Sequence, residues 1–299
     1  MNRRDLLQMS AALGAGAALT GKVRAEGDAG GRPEASVQPL RPPPEGRIPV
    51  AVLISQGAVL IDFVGPWEVF DGVSVHGHGP FQLYTVAQTL APVRAGSGMN
   101  IIPDYTFDSA PPPKVVVIPA QSPPTDAVLA WVRKAAQTAD ITMSVCTGAF
   151  LLAKTGLLDG KEATTHHDAY KQFAMTYPRV RLKRGARYVD LGNIASAGGL
   201  SSGIDLALHV VQRYYGKDVA TAAAYYLEYQ GQGWLDPNSN SVYAKQSVST
   251  DEHPLCPVCS MEVDKASAPR SAYRGKTYYF CMPEHKALFE ASPGPYLEA

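Results

Sequence analysis

The sequence has no charge imbalance. Its 27 Lys and Arg are matched by 27 Asp and Glu, for a formal net charge of zero, and no stripe of either sign runs along it. A nucleic-acid partner is therefore not expected. Long hydrophobic runs are missing as well. The first apolar segment, Ala11 to Leu19, is short and rich in Gly and Ala, too weak to span a bilayer stably. No cysteine follows it, which argues against a lipid anchor. No internal repeat is visible, and no helix-turn-helix signature follows the central part of the chain. Cysteine is scarce, at four in 299 residues, and the four fall into two unlike patterns.

The first 25 residues read as an export signal rather than as fold. Arg3-Arg4-Asp5-Leu6-Leu7 has the form of a twin-arginine signal, and Val23-Arg24-Ala25 offers a small-residue cleavage site. The expectation is a periplasmic protein without a stable membrane anchor. Removing four basic residues and one acidic residue with that segment leaves 23 basic and 26 acidic, a net charge of −3. Export in the folded state suits a chain that must keep thiols reduced or metallated in an oxidising compartment.

Residues 26–46 are rich in Gly, Pro and charge and read as a flexible tether. Residues 47–235 alternate apolar strand runs with helical patterns. Ile48 to Ile54, Phe81 to Ala87, Lys114 to Ile118, Ile141 to Ser144, Glu162 to Thr165 and Ile194 to Ala197 read as strands. Helices are expected from a Thr125 cap to Ala136, after Cys146 as far as Gly156, over Ile204 to Tyr215, and over about Val219 to Tyr229. This alternation predicts an α/β fold: a flavodoxin-like, doubly wound, mostly parallel sheet with helices on both faces. Residues 236–253 are polar and read as a linker, and 254–299 as a small C-terminal metal-binding module.

Cys146 stands alone in Ser144-Val145-Cys146-Thr147-Gly148, between a strand and a helix. That place is the carboxyl edge of the sheet, where ligands bind in open α/β folds. The amides and positive end of the following helix would favour thiolate, and Thr147 and Gly148 suit a nucleophile elbow. An inert core cysteine is the competing reading. Asp62, in an apolar stretch just after the first strand, is costly to bury unless it is hydrogen-bonded or protonated. Beside Cys146 it could share a proton with sulfur; otherwise it is a helix cap next to Gly65-Pro66.

Four motifs in order carry a resemblance: Ile61-Asp62-x-x-Gly65-Pro66-x-Glu68-Val69-Phe70, Ser144 to Gly148, Gly156-Leu157-Leu158 through Thr164-Thr165-His166, and Gly199 through Gly203-Ile204-Asp205-x-Ala207-Leu208. Over about residues 48–230 the chain resembles the ThiJ/PfpI superfamily, with its class I glutamine amidotransferase-like fold. Within it the chain is similar to isonitrile hydratases and to the amidase-like domain of GlxA-type regulators. The resemblance implies a nucleophile at Cys146, an acid/base partner at Asp62, assistance from Thr147, a small-molecule substrate and a homodimer. It also implies His166 near the nucleophile, against a purely structural role in its loop. Two departures stand out. His167 occupies a position where isonitrile hydratases commonly carry Trp, and Ala120-Gln121 stands where relatives have two glycines whose amides form an oxyanion hole. At a glycine-specific conformation these side chains would be strained.

The other three cysteines, Cys256-x-x-Cys259 and Cys281, followed by His285, have metal-ligand spacing. A hairpin through Arg274-Gly275-Lys276 would return Cys281 and His285 to the Cys256–Cys259 knuckle. Three sulfurs and one imidazole suit zinc or copper, and metal would supply folding energy to a module with little core. A disulfide with one free thiol is the alternative. Residues 254–298 resemble the YHS domain, departing at His285, where many members have cysteine; the harder imidazole favours zinc over copper(I). Two functions stand side by side on this reading: a cysteine-dependent hydratase with an appended metal domain and no cofactor at its thiol site, or a non-catalytic periplasmic protein that senses a ligand or handles metal.

Overall fold

The computed structural model describes residues 38–244 and 249–297. The expected signal peptide, the tether as far as residue 37, and residues 245–248 of the expected linker lie outside the described residues. In chain order the first body contains β1 (Ile48–Leu53), α1 (Leu60–Asp71), β2 (Phe81–Ala87), β3 (Val93–Arg94), β4 (Asn100–Ile101), β5 (Tyr105–Thr106), β6 (Val115–Ile118), α2 (Asp126–Ala136), β7 (Ile141–Ser144) and α3 (Gly148–Lys154). It continues with β8 (Glu162–Ala163), α4 (Tyr170–Thr176), β9 (Arg181–Leu182), β10 (Tyr188–Asp190), β11 (Ile194–Ala197), α5 (Ser202–Tyr215) and α6 (Lys217–Tyr226). The C-terminal part adds β12 (Arg270–Tyr273), β13 (Lys276–Tyr279), α7 (Pro283–Ala291) and α8 (Gly294–Leu297).

Seven strands form the central sheet in the order β10-β11-β7-β6-β1-β2-β5. All neighbours are parallel except β10, which pairs antiparallel with β11 at one edge. The inner strands are apolar throughout because both faces are covered. Val50 and Val52 of β1 join a core with Val69 and Phe70 of α1, Leu206 and Val210 of α5, and Ala220 and Ala223 of α6. The alternating residues Ala51 and Leu53 join the opposite core with Val128 and Val132 of α2, Leu152 of α3 and Phe173 of α4. The doubly wound expectation is met, and the Thr125 cap forms as the sequence predicts, its hydroxyl accepting from Val128 N at 3.3 Å.

Buried charge pins the edge carrying β10. Asp190 accepts from Arg213 Nη1 at 3.1 Å and pairs with His209 Nε2 at 2.9 Å. Arg213 also donates to the carbonyl of Gln38, so residues 38–40, expected to belong to the tether, are held against α5. The first part of the expected linker is held too. Asn240 is 7 % exposed and binds Ser202 and Arg187, and Tyr243 stacks on His167 at 4.4 Å.

The parallel strands set their carboxyl ends side by side, and Gly148 shows how tightly the chain is folded there. A Cβ on Gly148 would come within 2.2 Å of the Ile118 carbonyl and 2.8 Å of that of Pro119. Backbone cannot yield as a flexible side chain can, so Gly148→Ala is expected to destabilise the protein by about 1–3 kcal/mol. The urea unfolding midpoint measures this; an unchanged midpoint contradicts the packing described.

Candidate active site and metal centre

Four strand ends build the first site. Cys146 follows β7 by two residues, Ala120 follows β6 by two, Asp62 lies in the first turn of α1 after β1, and the Gly198–Leu200 turn follows β11. Cys146 has φ 57°, a left-handed conformation that a non-glycine residue holds only when its surroundings impose it. Those surroundings are hydrogen bonds: Cys146 N donates to Gly198 O at 2.9 Å, and the Thr165 hydroxyl donates to Cys146 O at 2.9 Å. Gly203 leaves room for Val145, whose side chain would lie 2.9 Å from a Cβ there. The elbow expected from Thr147-Gly148 is present.

Asp62 is fully buried and does not cap its helix. Its Oδ2 accepts from Ala120 N at 3.0 Å. The Cys146 thiol interacts with the same carboxyl, while Oδ1 has no hydrogen bond of ordinary geometry. Burial pushes the Asp62 carboxyl up to about 7, against the lowering effects of Ala120 N and Cys146. Burial, and then the Asp62 charge, push the Cys146 thiol up to about 11, against donors from Leu200 and Thr147. The expectation of an ionised sulfur is therefore overturned. The helix tip and the Thr147 hydroxyl do face the sulfur, but desolvation outweighs them, and the resting group at neutral pH is a thiol. Cys146 is 6 % exposed.

Thr147 is placed as expected, its amide and hydroxyl both directed to the Cys146 sulfur. His166 is not joined to Cys146 by any hydrogen bond among the described residues. Its Nδ1 accepts from Asp168 N at 3.3 Å, its ring stacks on His167 at 4.5 Å, and burial lowers its pKa. The strain expected at Ala120-Gln121 is absent, since neither residue has a positive φ. The Ala120 amide is instead spent on Asp62, and Gln121 Oε1 accepts from Ser55 Oγ at 2.7 Å. Sequence reasoning missed Leu200 at the sulfur, the Thr165 hydroxyl on the Cys146 carbonyl, and the turn of Ala120 N toward Asp62. Leu200 and Ala120 act through the backbone and Thr165 through its hydroxyl, and the Gly198-Gly199 pair is the one nearby signal in the sequence.

The second site lies in the C-terminal part. The knuckle forms as Cys256 N donates to Met261 O and Ser260 N donates to Cys256 O, both at 2.8 Å. β12 and β13 pair antiparallel through a turn with Arg274 at φ 49° and Gly275 at φ 76°, the two positive angles a two-residue hairpin needs. This returns Cys281 and His285 to the knuckle. Cys281 Sγ is 3.1 Å from His285 Nδ1, Cys259 Sγ is 3.5 Å from Cys281 Sγ, and Cys256 Sγ is 3.6 Å from His285 Nδ1. All four donors lie within 4.8 Å of one another. A tetrahedron with zinc–sulfur bonds near 2.3 Å has edges of about 3.8 Å, so the set fits one tetrahedral ion. No disulfide joins these cysteines. The underlying core is small: Val258, Phe280 and Phe289 with flanking Tyr273 and Tyr278.

The Asp62 shift has a sign that stability can read. A carboxyl that binds its proton more tightly when folded makes stability fall as pH rises from about 4 to about 7, and the loss is complete above that. Asp62→Asn keeps an acceptor for Ala120 N and removes the charge. The variant is expected to match the wild type in Tm near pH 4 and to exceed it by several degrees at pH 8. Equal melting curves at both pH values contradict the buried carboxyl described.

The family model "DJ-1/PfpI family" matches residues 49–213. Isonitrile hydratase of Pseudomonas putida is 33% identical over 174 residues, covering 56% of this chain and 73% of that protein. The HTH-type transcriptional regulator CdhR of Pseudomonas aeruginosa is 32% identical over 133 residues, covering 43% of this chain and 39% of the regulator. Among solved structures, a ThiJ/PfpI family protein from Pseudomonas syringae superposes with TM-score 0.54 at 27% identity, covering 70% of this chain and 83% of that one. The regulator among these relatives means that membership alone does not separate an enzyme from a regulator. With the sheet, the elbow and the match agreeing, the chain belongs to the DJ-1/PfpI family.

Proposed function

We propose that this protein is a cysteine-dependent hydratase of the isonitrile hydratase type, carrying a separate zinc or copper module. The observation that carries the reading is the buried Asp62 carboxyl against the Cys146 thiol, with the carboxyl pushed up to about 7. Such a pair holds one transferable proton at neutral pH beside a nucleophile in a strained elbow. The similarity to the Pseudomonas putida enzyme supports the choice of substrate.

The chemistry follows from where that proton sits. Asp62 as carboxylate takes the thiol proton while sulfur attacks the terminal carbon of R–N≡C. It returns the proton to the same carbon, giving the thioimidate R–N=CH–S–Cys146. Water then adds to that carbon, one of its protons passing through Asp62 to nitrogen. Collapse breaks the C–S bond, and the remaining hydroxyl proton returns through Asp62 to sulfur. The product is the formamide R–NH–CHO, and one water is consumed. Donors from Thr147 and Leu200 already face the sulfur and would stabilise charge on it as it leaves.

Cys256, Cys259, Cys281 and His285 would hold the metal, whose contribution is to tie the knuckle to the hairpin and stabilise a small core. Reading 1–25 as a signal places the protein in the periplasm. Among the described residues no helix is long and apolar enough to cross a membrane. The homodimer implied by the resemblance and the lack of a nucleic-acid partner belong to this proposal. One observation favours a second reading, a ligand-sensing protein without turnover: Cys146 is buried.

Turnover decides between them. The purified protein is expected to convert cyclohexyl isocyanide to N-cyclohexylformamide, Cys146→Ala to abolish this, and Asp62→Asn to lower kcat by roughly 10²–10⁴. The carboxylate is the required base, so kcat/KM should rise with pH through about 7. Unchanged turnover in Cys146→Ala, or an acid limb near pH 4, contradicts the mechanism. Elemental analysis should find about one zinc or copper ion per chain, lost in Cys281→Ser; an equal metal content in the two proteins contradicts the four-ligand site.

A further inference from the structure

A cavity of about 340 Å³ lies one residue from the nucleophile. Thr147, which hydrogen-bonds the Cys146 sulfur, forms part of its wall. The rest of the wall is amphipathic, with Phe150 and prolines supplying apolar surface and Gln121, Lys154, Gln172 and Tyr177 supplying polar groups. Two features give it a chemical preference. The Gln121 amide is held by its Oε1 on Ser55 Oγ, and its Nε2 is buried with no acceptor. No acidic residue lines the cavity, and none pairs with Lys154 among the described residues. A buried donor without a partner is unfavourable until an acceptor arrives. A lysine lining the same cavity, with no carboxylate to neutralise it, favours an acceptor that carries negative charge.

We infer that this cavity receives the carboxylate end of the substrate, with the Gln121 amide as donor and Lys154 supplying charge, so that the enzyme acts on small carboxylate-bearing isonitriles. The inference rests on the hydratase reading above and narrows its substrate class. It also gives the Ala120-Gln121 departure a purpose. The first position still offers its amide, to Asp62, and the second places a side-chain donor where a glycine has none. Gln121 and Lys154 are specificity residues and touch no reacting atom.

The test compares isocyanoacetate with its methyl ester on the full-length protein. Wild type is expected to prefer the carboxylate in kcat/KM by at least about tenfold, and Gln121→Leu and Lys154→Met should each lower that ratio by about tenfold. Gln121→Glu, of the same shape, places a like charge against the substrate and should lower the ratio further; it serves as the second variant if Gln121→Leu does not fold. Equal preference for acid and ester, or a ratio that none of these substitutions moves, overturns the inference. Failure of the hydratase reading is separable. If no isonitrile is turned over, calorimetry of full-length Cys146→Ala with N-formylglycine, the product expected from isocyanoacetate, reads the cavity directly. Binding that weakens about tenfold on adding Gln121→Leu supports the assignment, whereas no binding, or binding indifferent to Gln121, overturns it.

Discussion

A carboxyl and a thiol share a dry corner where the strands of the sheet end, and much of the local architecture exists to keep them together. Asp62 can be fully buried only because Ala120 N and Cys146 answer it. Cys146 can hold φ 57° only because Gly198 and Thr165 grip its amide and carbonyl. Asp62, Ala120, Cys146 and Gly198 follow four neighbouring strands, β1, β6, β7 and β11, so the pairing order of the sheet is itself a condition of the site. Burial raises both groups above their ordinary values, and it leaves a single proton poised between them instead of a free thiolate. Reactivity is then set by how readily that proton moves, not by a standing charge on sulfur.

The second site is built on the opposite principle. In the C-terminal part three sulfurs and one imidazole converge without any bond between the sulfurs, over a core of a few side chains. A body this small gains much of its order from whatever joins its ligands. The α/β body needs no such help, since two apolar layers cover its sheet. One chain thus combines a site whose chemistry depends on excluding water with a site whose stability depends on capturing an ion.

Much of this was legible in the residues. The strands Phe81–Ala87 and Ile194–Ala197, the Thr125 cap, the elbow at Cys146 and the hairpin turn at Arg274-Gly275 all follow from local pattern and turn chemistry. The antiparallel edge strand Tyr188–Asp190 and the short pairs between Val93 and Ile101 did not stand out, because two- and three-residue strands carry too little periodicity. The helix tip at Cys146 favours thiolate, whereas burial pushes the thiol up. A helix tip is visible in sequence, but the depth at which the sulfur sits is not, and depth decided the outcome. The role of Ala120 was hidden for a related reason. Its side chain says nothing, and its amide does the binding.

The segment after the last helix of the α/β body carries one more implication. Asn240 lies sealed beneath Arg187 and Ser202, while Tyr243 roofs the His166–His167 pair. The composition-based boundary near Leu235 therefore cuts through packed structure. A fragment ended there would strip Arg187 of an amide acceptor, leaving its guanidinium with Asp205 and Ser201, and would uncover the His167 ring on which Tyr243 stacks. Any attempt to express the two modules apart should leave the chain through Ala244 with the enzyme-like half.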